Sequence, residues 1–270
     1  MEYLQKLRRG LNNFAEHAGV AHKLDETLEL LPKIIELCGP ASNNRRPALR
    51  IAETILKSEA IQIIAPCCPD YSHSNGVYNF KRLNNGISLL GQNQISFLKK
   101  LKDAGIKFNA VFLYADQESD DEQLVKLMSK KVGKPELEDH MLFKEKIGQS
   151  TEATQEAVKH FGWTTDYMTE FIPNFRSKAA EIADQLRSSE NVQRRLSSET
   201  MERFDMYQKI QPNIRFAEAL ERTIVTASQY LVLGNFARQN NFLISNHTTT
   251  NLAWYAETSA GVLHNPVAIY

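Results

Sequence analysis

The sequence predicts an α/β protein built in three layers, with a parallel sheet at its centre and a large helical addition. Two short runs, "IQIIAP" at 61–66 and "FNAVFLYAD" at 108–116, are continuously apolar in the way of strands covered on both faces. Between them, "SLLGQNQISFLKKLKDAGI" places Leu89, Leu90, Ile95, Leu98 and Leu101 on or near one face of a helix, with Gly105 as its stop. Strand, loop, helix and strand make a βαβ unit, which requires parallel strands and a right-handed crossover.

The remaining elements are placed around this unit. Residues 1–37 carry Leu24, Leu28, Leu31 and Ile35 at helical spacing and contain Pro32, a point of kinking; "CGPASNNRRP" then ends the pattern. This gives an N-terminal helical segment over 1–44 and an α/β domain over 45–270, entered through a second helix in "ALRIAETILKSEA". Residues 121–222 read as almost wholly helical, divided at Pro173 and Pro212, and form a helical insertion or cap. The end of the chain, from "NFLISNH" to "GVLHNPVAIY", returns to strand-like sequence.

Composition narrows the function classes. Apolar residues make up 42% of the 270, enough to fill a substantial core, and 32 basic residues balance 32 acidic ones. With no block of Lys or Arg longer than a pair, the broad positive field of a tight nucleic-acid binder is missing, and a small-molecule substrate is favoured. The charged N-terminus lacks the apolar core of a signal peptide and no long apolar run occurs, so the reading is cytoplasmic, with no membrane partner. Cys38, Cys67 and Cys68 suit neither a disulfide framework nor a CxxC metal site, and the His and Asp/Glu spacings match no metal motif, so no metal and no cofactor are expected. GxGxxG, Walker, GxSxG and HExxH signatures are all absent.

Candidate chemistry gathers in three places. In parallel sheets ligands sit beyond the carboxyl ends of the strands, and "PCCPDYSHSN" follows the first strand there. It offers Tyr71, Ser72 and Asn75 for ligand contact, against the plainer reading in which Pro66 and Pro69 shape a turn and the polar groups bond nearby amides. After the second strand comes "DQESDD". Asp120, Asp121 and Glu122 suit the first turn of a helix, Asp116 is the better site residue, and Glu118 is a further contact. Towards the C-terminus, Arg222 and Tyr230 fall eight residues apart on one helix, hence on neighbouring parts of one face. Arg222 has the geometry of an anion clamp, and His247, just beyond an apolar run, is the side chain most easily tuned for proton transfer. Tyr255 follows in the same segment. Half-buried structural tyrosines and a satisfied core histidine are the equally weighted alternative.

In this order the motifs resemble those of the isocyanide (isonitrile) synthases, enzymes of secondary metabolism. The similarity lies in the strand entering "APCCPDYSHSN" with Pro66, Pro69, Ser72 and Asn75, in the strand that ends at Asp116 before further acidic residues, and in Arg222, Tyr230 and "ISNH". It covers roughly residues 48–128 and 190–270. Asp116 is followed by Gln instead of Gly, no Pro follows His247, and the family's terminal Pro-Trp-His is replaced by "NPVAIY". The resemblance implies a Rossmann-like fold and a biosynthetic transferase that modifies the amino group of a free amino acid, with a sugar phosphate as carbon donor. Catalytic roles would fall to His247, Asp116 and Ser72, and substrate binding to Arg222, Tyr230, Tyr71, Asn75, Glu118 and Tyr255. Two other readings stand beside it. A tRNA-dependent cyclodipeptide synthase would use Ser72 as acyl acceptor for aminoacyl-tRNA, but the chain is neutral and has Gly234, not Glu, four residues after Tyr230. A non-catalytic helical interaction protein on a degenerate α/β core would leave all three clusters structural.

Overall fold

The computed structural model describes residues 2–38, 45–67, 72–74, 77–79, 86–117, 136–210, 212–247 and 261–265. The strands β1 (Ile61–Cys67), β4 (Phe108–Tyr114), β5 (Thr164–Tyr167), β6 (Phe242–His247) and β7 (Gly261–Asn265) form a five-stranded, all-parallel sheet flanked by helices. Their spatial order is β5-β4-β1-β6-β7. The chain thus builds outward from β1 through β4 to β5, then returns to the other side of β1 to add β6 and β7. Both strands expected from sequence are present and parallel, and burial explains their composition: Ile63, Ile64 and Ala65 of β1 and Phe112, Leu113 and Tyr114 of β4 are all at 1% exposure or less. A continuous apolar run is what a strand covered on both faces requires.

The chain divides into two compact, interleaved units. The first comprises residues 1–65, 93–111 and 234–270. Helices α1 (Glu2–His17) and α2 (Leu24–Leu37) pack on α3 (Arg45–Lys57) through Leu7, Leu11, Leu31, Ile34, Ala48 and Ala52, and Pro32 lies within α2. α3 lies in turn against β7, so closely that a Cβ on Gly261 would sit 2.8 Å from Leu243 Cδ2 and 3.1 Å from Ile51 N. The register of β6 pairs Leu243 with both Ile63 and Gly261, and Ile244 with both Ile64 and Val262. Helix α4 (Leu89–Asp103) ends as the sequence predicts. Gly105 takes φ +82°, its N–H donates to Lys102 O at 2.9 Å, and Ile106 N–H donates to Leu101 O at 3.1 Å, with Leu101 and Ile106 both buried. This is the Schellman pattern, and a left-handed residue at that position favours glycine.

The second unit comprises residues 66–92 and 112–233. It contains α5 (Glu136–Val158), β5, the single helical turn α6 (Met168–Phe171), α7 (Phe175–Ser188), α8 (Glu190–Ile210) and most of α9 (Phe216–Gln239). α8 and α9 meet at a buried hydroxyl pair, Thr200 Oγ1 to Thr223 Oγ1 at 2.9 Å, while Arg187 of α7 forks onto Glu221 of α9. Trp163 stacks on Phe161 at 4.6 Å between ring centroids and lies 6.2 Å from Phe112 of β4.

Three readings are corrected. The described part of 121–222, read as almost wholly helical, also supplies the sheet with a strand that sequence did not announce, β5. Four residues, Thr-Thr-Asp-Tyr at an edge, carry no apolar alternation to announce a strand. Gln155 of α5 fixes them instead, its Oε1 accepting from Thr165 N–H at 2.8 Å and its Nε2 donating to Trp163 O at 3.3 Å. The stretch between Pro173 and Pro212, which sequence leaves undivided, is two helices, broken where Ser189 turns extended at φ −99°, ψ 105°. Finally, 72–79 is not simply a loop: β2 (Ser72–Ser74) pairs antiparallel with β3 (Val77–Asn79), Ser72 opposite Asn79. The Asn75-Gly76 dipeptide between them is a strong hairpin signal in sequence. Among the described residues, no helix is long and apolar enough to cross a membrane.

Candidate functional site

In the second unit, β1 and β4 end side by side. Ala115 N–H donates to Cys67 O at 2.8 Å, one step beyond the last residue of β4, so the segments carrying Ser72 and Asp116 leave from neighbouring points on one sheet edge. The end of β4 is held firmly. Tyr114, fully buried, bonds through Oη to Thr154 Oγ1 of α5 at 2.7 Å. Beside it, α4 begins at the buried Ser88, whose Oγ accepts from Gly91 N–H at 3.0 Å as an N-cap. Gly91 has no room for a side chain: a Cβ there would lie 3.1 Å from each of Ile87 Cγ2, Ser88 Oγ and Tyr114 Oη.

Asp116 is engaged by a residue distant in sequence. Its Oδ1 accepts from Thr169 N–H at 3.0 Å and its Oδ2 from Thr169 Oγ1. A carboxylate accepting from an amide and a hydroxyl in the first turn of a helix is a favourable arrangement, and here it ties the end of β4 to the turn that follows β5. Gln117, next along, is 9% exposed, and its Oε1 is buried without a hydrogen-bond partner. Cys67 is a buried thiol in no disulfide, and burial pushes its pKa far above the ordinary cysteine value, which favours the protonated form.

Arg222 and Tyr230 both lie on α9 within the second unit, each half-buried. Their spacing corresponds to about 12 Å along the helix axis, too far for both to hold one small group and close enough for the two ends of a larger ligand. Ser72 falls on β2, its backbone paired with Asn79. Tyr71, Asn75, Glu118 and Tyr255 lie outside the described residues.

In the first unit, His247 is the last residue of β6, in register with Asn265 of β7. Two residues before it stands a pair that sequence reading missed. Ser245 Oγ donates to Gln94 Oε1 at 2.5 Å, and Gln94 Nε2 returns a bond to Ser245 O at 2.9 Å, both side chains being buried. The reciprocal bond locks the carboxyl end of β6 to the start of α4. The signal available in sequence was a polar triplet, Gln92-Asn93-Gln94, on a helix whose neighbours must be buried. Among the described residues no group of three or more His, Cys, Asp or Glu is arranged to hold a metal ion.

No protein-family model, no curated protein and no solved structure matches the chain.

Proposed function

We propose that the chain is a Rossmann-like biosynthetic enzyme, a transferase or synthase related in kind to the isocyanide synthases, acting on the amino group of a free amino acid or similar metabolite with a sugar-phosphate co-substrate. The observation that carries this reading is the bond from Ala115 to Cys67, which sets the ends of β1 and β4 side by side in an all-parallel sheet. Such sheets bind ligands beyond the carboxyl ends of their strands, and the two motifs that support the resemblance begin there. The strand order also supports it: counted among themselves in chain order, the five strands lie third, second, first, fourth, fifth, as in one doubly wound sheet class. The helix-rich second unit supplies Arg222 as the anion clamp for carboxylate or phosphate, with Tyr230 as a second contact on α9. In this reading Ser72 and Asp116 act at the strand ends, with Asp116 held in one orientation by Thr169. For His247, in the first unit, the resemblance implies proton transfer, the role for which an imidazole is best tuned. Metal and nicotinamide have no part in the proposal.

The test is a thermal-shift screen with free amino acids, pentose phosphates and aminoacyl-tRNA, since a ligand at about a hundred times its dissociation constant stabilises the native state by roughly 2.7 kcal/mol. A response to amino acids or sugar phosphates, weakened by Arg222→Ala, is expected. A response to aminoacyl-tRNA alone moves the assignment to the cyclodipeptide class, and silence throughout favours a non-catalytic interaction protein.

A further inference from the structure

Among the described residues, buried polar side chains are paired almost without exception. Gln94 holds Ser245, Tyr114 holds Thr154, Thr200 holds Thr223, and Ser88 caps α4. Among the described residues only two buried side-chain atoms lack a partner, Gln117 Oε1 and Glu199 Oε2. Glu199 is half-buried and lies mid-helix on α8. Gln117 is 9% exposed and stands two residues beyond the backbone bond that joins the ends of β4 and β1. A buried amide oxygen without a donor is unfavourable, and a native fold retains one where something else supplies the hydrogen.

We infer that Gln117, at the carboxyl end of β4, faces the ligand, its Oε1 accepting a hydrogen bond from the substrate's amino group. The placement is not adventitious, because the residue before it is fixed. Both oxygens of Asp116 accept from Thr169, which ties the residue before Gln117 to the turn after β5. Asp116 thus acts on the ligand through its neighbour, as a positioning residue, and Gln117 makes the contact. The open oxygen is an acceptor, and its complement is a donor, an amine or a hydroxyl. The identity of the donor as an amino group rests on the function proposed above; the open acceptor itself does not.

The two parts are tested separately with the full chain. Gln117→Leu keeps the volume and removes the unpaired oxygen, so without ligand the variant should melt at or above the wild-type temperature. A clear drop would show that the amide has a structural partner and would overturn the inference. For binding, wild type and Gln117→Leu are compared with an amino acid that responds in the thermal-shift screen and with its deaminated analogue. Wild type should bind the amino acid roughly tenfold more tightly than the analogue, and the variant should bind the two alike. If the variant keeps the wild-type preference, or loses the same factor for both ligands, Gln117 does not meet the amino group and the inference fails. If no amino acid binds the wild type, the proposed function falls instead. A panel of simple amines and polyols then decides Gln117: a response abolished by Gln117→Leu sustains the open acceptor, and no response refutes it.

Discussion

Tyr114 and Thr154 allow the stiffness of the strand ends to be measured directly. Both are wholly buried, and their hydroxyls are 2.7 Å apart, joining the last residue of β4 to α5. Tyr114→Phe removes one hydroxyl and leaves Thr154 without that partner in a dry site; Thr154→Val does the reverse with almost no change of shape. Each single change should cost about 1–3 kcal/mol, the price of one buried group left unsatisfied plus the bond it made. Replacing both partners by apolar groups of the same shape costs much less, so the double variant should be at least as stable as the weaker single one. The coupling energy from the cycle should therefore be about 1–2 kcal/mol. By thermal unfolding, each single variant should fall by a few degrees, at about 2–4 °C per kcal/mol for a chain somewhat shorter than this one. Additive losses, with the double variant least stable of all, would show that the hydroxyls do not depend on each other and that the β4 end is held by apolar packing alone.

Three further outcomes follow from the same coordinates. Gly261→Ala should destabilise by about 1–3 kcal/mol, measured by urea unfolding, because its Cβ would stand 2.8 Å from Leu243 Cδ2 and 3.1 Å from the backbone of Ile51, and α3 cannot yield without disturbing its packing. Cys67 is 2% exposed and burial pushes its pKa up, so iodoacetamide at mildly alkaline pH should label it only after denaturant is added; rapid labelling of the native protein would contradict the burial. Glu218 accepts from Arg215 N–H at 3.1 Å and from its guanidinium, and these hydrogen bonds, side-chain first, hold its carboxyl below the ordinary glutamate pKa. Because the folded pKa is the lower one, its contribution to the start of α9 is present above the unfolded value and lost as pH falls through the folded one. NMR titration giving Glu218 an ordinary or raised pKa would refute this.

The core of the fold was legible in sequence because burial on both faces leaves a mark within a few residues. Ile61–Cys67 and Phe108–Tyr114 are apolar enough to be seen without their neighbours, and Gly105 marks the end of α4 by a φ that disfavours other residues. β5 left no such mark, since an edge strand of four half-exposed residues depends on Gln155 and on the paired strand rather than on its own composition. The hairpin did leave one, in Asn75-Gly76, and the weight given to Pro66 and Pro69 obscured it.

The site shows the same division more sharply. That Asp116 follows a buried strand at its carboxyl end is a local fact, and sequence supplies it. That its carboxylate is occupied by Thr169 is not local, because the partner lies 53 residues away on a turn after a strand that the sequence did not reveal. The carboxylate of Asp116 is engaged in tying the end of β4 to the turn after β5, and the uncharged amide beside it is left unsatisfied. A glutamine earns notice only through its environment: on the surface it would be hydrated, and in the core of this chain Gln94 is fully paired. What distinguishes Gln117 is burial without a donor, a property of the assembled strand ends and of no single stretch of sequence.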